Sequence, residues 1–181
     1  MNEGFSIGAM LSQSRAVLTS PSVATFERYE RAGGLREAVI YVALASAITG
    51  VFGLAEGLGG FVGGVLTTIL GFLIFTYLVH WLGKQRGGTG SLDEVAYSFA
   101  LFWAPLSILI SLVTLVLILT LIGILLVPLV ALAGLALNVY YAYLATQASM
   151  NLQAGGQTWA VLLFAALGAF VLNLIVGAIV A

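Results

Sequence analysis

The sequence predicts an all-α polytopic membrane protein: five transmembrane helices preceded by one or two N-terminal interfacial amphipathic helices. Three observations predict it. The 181 residues include only 6 Lys+Arg and 7 Asp+Glu, while 61% are hydrophobic and the mean hydropathy is +1.14. Soluble chains carry roughly 25% charged residues, so a surface this poor in charge would expose apolar patches far larger than water tolerates. Every charge lies between Glu3 and Glu94, and the stretch from Val95 to Ala181 carries none. Finally, the apolar runs come in lengths near the ~20 residues that cross a ~30 Å hydrocarbon core.

The chain divides at residue 38 into a segment 1–37 and a transmembrane domain 38–181. In the first segment Ile7, Met10, Leu11, Val17 and Leu18 share one helical face opposite Ser12, Gln13, Arg15 and Thr19, the pattern of a helix lying in the headgroup boundary. Ser20-Pro21 suits the start of a second short helix, and Gly33-Gly34 ends it. The second helix carries Glu27, Arg28, Glu30 and Arg31, whose charges cancel, so it is no polybasic lipid clamp. No basic n-region with a cleavage site precedes the first apolar run, so no signal peptide is expected.

Span one covers 38–55, fenced by Arg36 and Glu37 before it and Glu56 after it; span two covers 58–82. Glu56 at the bilayer centre would cost about 3 kcal/mol, which places it at the end of span one, in water. Around the intervening turn Gly53, Gly57, Gly60 and Gly64 recur at helical spacing. Such stripes allow close backbone approach in lipid, either between spans one and two or between two copies of the chain.

The loop that follows span two contains Gly87 and Gly88 and ends in Ser91-Leu92-Asp93-Glu94. Ser-x-x-Glu is the spacing of a capping box, in which Ser91 and Glu94 satisfy helix-start donors reciprocally, and span three (97–119) begins there. The uncharged run onward to Ser149 is too long for one span and breaks at Thr120-Leu121-Ile122-Gly123, giving span four at 124–143. Pro105 and Pro128 are read as lying near the two starts, where a missing N–H costs least. A polar, uncharged loop then precedes span five at 159–180.

Five spans put the termini on opposite sides. All six basic residues, four before span one and Lys84 and Arg86 after span two, fall on one side, with Glu56 opposite; the positive-inside rule makes that side cytoplasmic. Tyr and Trp residues that anchor at headgroups, among them Tyr41, Tyr77, Trp81, Tyr97, Tyr141 and Trp159, occupy the same half. The expected orientation is N-terminus inside and C-terminus outside.

Chemistry is scarce. The absence of Cys excludes disulfides, thiolate metal sites and Cys nucleophiles. A net charge of −1 gives no basic footprint for nucleic acid. One His and dispersed carboxylates supply no base with an orienter, and the Gly87-Gly88-Thr89-Gly90 loop lacks the Lys-Ser/Thr ending of a phosphate loop. No cofactor, metal or catalysis is therefore expected. The polar residues nearest the inner face are His80, Tyr97, Asn138 and Gln147, a possible inner cluster for a transporter. Asn173 is the deepest amide of span five.

The Pro21 to Phe26 stretch, Leu82-Gly83-Lys84, Gly87-Gly88-Thr89-Gly90-Ser91, Tyr97 and Ala104-Pro105, together with the five spans, resemble the Yip family of Ypt/Rab-interacting membrane proteins in its short prokaryotic form. The resemblance implies a five-helix integral membrane protein whose eukaryotic relatives associate with prenylated small GTPases. This chain lacks the Asp-Leu-Tyr-Gly-Pro stretch of those relatives, so GTPase binding is carried over to no residue. The expected function is a non-enzymatic scaffold or adaptor whose partners are the lipid bilayer and itself or another membrane protein; the alternative is a small transporter or channel subunit for a lipid or ion.

Overall fold

The computed structural model of the chain describes residues 6–51, 57–120 and 123–180. Gly53 and Glu56, two residues of the break at 121–122, and the side chain of Asn173 lie outside the described residues. Every regular element described is helical: α1 (Ile7–Thr19), α2 (Val23–Tyr29), α3 (Leu35–Thr49), α4 (Gly57–Gln85), α5 (Leu92–Ile118), α6 (Val127–Ser149) and α7 (Gly155–Val180). A 3₁₀ turn, Gly123–Leu126, leads into α6.

Four helical stretches are long and apolar enough to cross a membrane: Gly57–Gln85, Leu92–Ile118, Gly123–Ser149 and Gly155–Leu172. They take up predicted spans two to five. Predicted span one is taken up by α3, which has 15 residues, about 22 Å at 1.5 Å per residue; residues 52–55 of that span lie outside the described residues. The break between α5 and α6 falls where the sequence puts it. There the Thr120 hydroxyl donates to Leu117 O (3.0 Å) and accepts the Gly123 N–H (3.1 Å), closing the end of α5.

Five helices form a closed ring in which α3 meets α4, α4 meets α7, α7 meets α6, α6 meets α5, and α5 returns to α3. α5 is the spine, since α1 and α4 also pack on it. Its buried residues run from Val95 to Leu106, and beyond that Leu109, Leu112 and Val116 are exposed. The bundle is thus tightly packed at the end carrying Arg31, Lys84 and Glu94 (the charged end) and opens towards lipid at the other. An aromatic chain runs across the packed half: Phe26 of α2 meets Phe102 edge-on (6.2 Å between centroids), Phe102 stacks on Tyr141 (5.7 Å), and Phe99 links Phe102 to Phe75 of α4.

Two sequence expectations need correction. Pro105 is not near a helix start, because the cap at Ser91 begins α5 at Leu92 and leaves the proline inside the helix, where it removes an intrahelical hydrogen bond and its ring crowds the preceding turn. Pro128 does occupy the first turn of α6. Two glycines of the stripe, Gly57 and Gly64, do not seat α3 on α4: a Cβ built at either meets nothing within 4 Å. Gly60 is half-buried. Gly57 instead has φ +84°, a left-handed conformation that glycine adopts without steric cost.

Candidate functional site

The residues that distinguish one end of the bundle from the other are polar, and they converge where α1, α2 and the start of α5 meet. Ser91 caps α5: its hydroxyl accepts the Glu94 N–H (3.2 Å), and its own N–H donates to Glu94 Oε2 (2.7 Å). The other Glu94 oxygen accepts from Arg31 Nε at 2.8 Å. The neighbouring Asp93 accepts the Leu35 N–H (2.8 Å), and Glu37 accepts the Gly34 N–H (2.9 Å), so acids satisfy the donors at the start of α3. One acidic turn of α5 therefore fixes both the chain leaving α2 and the helix that follows.

Three tyrosines hold α1 down. Tyr97 of α5 donates to Gln13 Oε1 (2.7 Å), Tyr141 of α6 donates to Leu18 O (2.9 Å), and the Tyr41 hydroxyl of α3 pairs with Ser14 Oγ (3.1 Å). All three are buried. The sequence reading of Tyr41, Tyr97 and Tyr141 as headgroup anchors is thereby corrected: their rings pack in protein and their hydroxyls serve a neighbouring helix. Tyr77, Trp81, Tyr140 and Trp159 do stay exposed, in a belt near the charged end. The α1 face predicted to lie in lipid is divided. Met10 and Val17 are buried on the bundle, while Ile7 and Leu11 remain exposed. α2 likewise buries Phe26 completely and turns Glu27 and Arg28 outward.

The loop after α4 docks against the loop after α6. Gly87 has φ +85°, and the Gly88 N–H closes back on Gly83 O (2.8 Å). The buried Met150 side chain lies where a Cβ on Gly83 or Gly88 would be. Thr89 N–H donates to Met150 O (3.1 Å), Asn151 Nδ2 donates to the Thr89 hydroxyl (3.0 Å), and Lys84 Nζ donates to Thr89 O (2.9 Å).

The predicted inner cluster is not assembled. Tyr97 is turned to Gln13 and lines the recess beneath α1. Asn138 bonds Gly134 O of its own helix (2.9 Å) and lines a cavity among α4 to α7. His80 and Gln147 line neither of these. The reason is register: Tyr97 lies one turn and a half inside α5, whereas Asn138 is three turns from the end of α6.

Glu30 was missed by sequence reasoning, which saw only a charge among cancelling charges. It is 4% exposed, Oε2 has no partner among the described residues, and Arg31 Nε stands 3.7 Å from Oε1. Burial first, then the Glu94 carboxylate, push its pKa up from 4.5 to about 7, against the pull of Arg31. Because the folded protein holds this proton more tightly than the unfolded chain, the contribution of Glu30 to stability is fully present below pH ~4.5 and is lost as pH rises through about 7. Glu30→Gln is expected to stabilise the fold by on the order of 1–2 kcal/mol at pH 8 and to do little at pH 5. Thermal unfolding of both proteins at the two pH values checks this.

The family model of the Yip1 domain matches residues 15–178, from the middle of α1 nearly to the end of α7. The chain belongs to the Yip1-domain family. It is a membrane protein of that family, with apolar helices of spanning length and a charged end closed by the two N-terminal helices. A search of the curated proteins found no match, and a search of the solved structures found none. The Yip1-domain match begins at Arg15, so it takes in most of the α1–α2 cap as well as the bundle.

Proposed function

We propose that this Yip1-domain protein is a non-enzymatic membrane adaptor, a five-span bundle in a prokaryotic cytoplasmic membrane that presents its α1–α2 cap to the cytoplasm. The observation that carries this reading is the construction of the cap. Its inner face is fixed to α3, α5 and α6 by the three tyrosine hydrogen bonds and Phe26, while Arg15, Glu27 and Arg28 face outward. A rigid, charged and exposed face on a membrane anchor suits recognition of another protein, either a second copy or a different membrane protein. α3 is the fifth span in this proposal. Its start is tied to the charged end by Asp93, and it lies along α5 more extensively than any other pair of helices in the bundle. The Lys and Arg residues of that end, by the positive-inside rule, support a cytoplasmic cap and an outer C-terminus.

The transporter alternative, in the form that joins His80, Tyr97, Asn138 and Gln147 along one path, has less support because Tyr97 and Asn138 line separate recesses. Extraction of the wild type and of Arg15→Glu/Arg28→Glu into polymer nanodiscs, with intact-complex mass spectrometry, tests the adaptor. A second protein or second copy at fixed ratio, lost in the charge-reversed variant, is the expected result. A monomer in both preparations contradicts it.

A further inference from the structure

Between α4, α5, α6 and α7 lies a cavity of about 450 Å³, within the size range of ligand pockets. Phe72, Phe102, Trp103 and Leu162 give it apolar walls, and Gly71 leaves it open: a Cβ there meets nothing within 4 Å. On the outside of the bundle a groove of about 470 Å³ runs along α6 from Tyr143 down to Leu132, with Trp159 of α7 at its upper end. Leu135 and Val139 line both, so the cavity and the lipid-facing groove adjoin at these two side chains, and together they make up a slot.

The depth of this slot decides its contents. Ala142 and Leu135 lie seven and fourteen residues before the end of α6, about 10 and 21 Å from the charged end at 1.5 Å per residue, inside a ~30 Å hydrocarbon core. The lining is mostly apolar, with Thr67, Thr68 and Asn138 as its polar exceptions, and the Asn138 amide N–H₂ is already engaged by Gly134 O. What surrounds the mouth is hydrocarbon. From Tyr143 to Leu132 the groove runs about 16 Å, the reach of one leaflet of a ~30 Å core. At its upper end the Tyr143 and Trp159 rings, 5.1 Å apart, supply the amphipathic surface that sits at headgroup level.

We infer that this slot holds one acyl chain of a bilayer phospholipid from the leaflet at the charged end, its headgroup beside Tyr143 and Trp159 and its tail passing Leu135 and Val139 into the bundle. The inference requires only that α4 to α7 span the bilayer and stands apart from the adaptor reading.

The test uses the full chain in phosphatidylethanolamine/phosphatidylglycerol vesicles doped with a phospholipid bearing a diazirine on the distal half of one acyl chain. After irradiation, adducts are mapped by peptide mass spectrometry. Wild type is expected to carry adducts on inward-facing residues such as Phe102, Ala142 and Leu162, besides those on lipid-exposed Leu129 and Leu163. Gly71→Leu fills open space and improves helix propensity, so it is expected to fold, lose the inward adducts and keep the outer ones. Should size-exclusion show it misfolded, Ala166→Phe fills the slot from α7 with the same expected loss. Adducts confined to the outer residues in wild type, or inward adducts undiminished in the folded filled variant, would overturn the inference.

Discussion

Gly90→Ala is expected to destabilise the protein by about 3 kcal/mol or more, because the clash is with main chain and overpacking that no side chain can relieve is at the upper end of such costs. A Cβ at Gly90 would be driven directly into the carbonyl oxygen of Ser149. Relief requires separating the loop after α4 from the end of α6, which forfeits the Thr89 N–H bond to Met150 O and the Asn151 contact with Thr89. The matched control is Gly64→Ala, whose Cβ meets nothing and which should gain about 0.5–1 kcal/mol from helix propensity. Thermal unfolding in one detergent, followed by circular dichroism, reads both. Equal midpoints for Gly90→Ala and wild type would show that the two loops do not meet.

Phe26→Ala is the second large effect, at about 3–5 kcal/mol for a fully buried ring. Phe26 is 0% exposed and packs edge-on against Phe102, the residue through which the aromatic chain reaches α4 and α6. Its loss leaves a cavity under α2 and should free the cap before the bundle melts, since α4 to α7 share most of their contacts with one another. The expected signature is faster proteolysis at Arg28 and Arg31 with the membrane-embedded fragment intact. Cleavage at wild-type rate would mean that α2 is not held by this ring.

How much of this was legible in the sequence follows from the range of each interaction. Hydropathy located four of the helices and the break at Thr120 because lipid exposure acts residue by residue along the chain. The Ser91–Glu94 box was legible because its partners are three residues apart. The tyrosine bonds were not: Tyr97 to Gln13 and Tyr141 to Leu18 join residues distant in sequence, and a Tyr near a span end reads alike whether its hydroxyl meets a headgroup or another helix. The environment of Glu30 was hidden similarly, because Glu94, distant in sequence, becomes its neighbour only on folding. Spacing suggested that the glycines pack, yet Gly57 and Gly64 face open space while Gly83 and Gly88, off the stripe, take the close contact with Met150. Pro105 was misplaced because its distance was counted from the apolar run at residue 97, although the Ser91–Glu94 cap already starts the helix at Leu92.

The arrangement of the charged end on the cytoplasmic side of a five-span bundle is the claim on which the adaptor rests, and it can be measured without background because the chain contains no Cys. Single cysteines are introduced at Arg28, exposed on α2, and at Leu58, exposed at the opposite end of α4, and intact cells are treated with a thiol reagent that does not cross the membrane. The account predicts that Leu58→Cys reacts from outside and that Arg28→Cys reacts only after permeabilisation. Reaction of Arg28→Cys in intact cells would invert the topology, and protection of Leu58→Cys in both conditions would show that α3 does not cross.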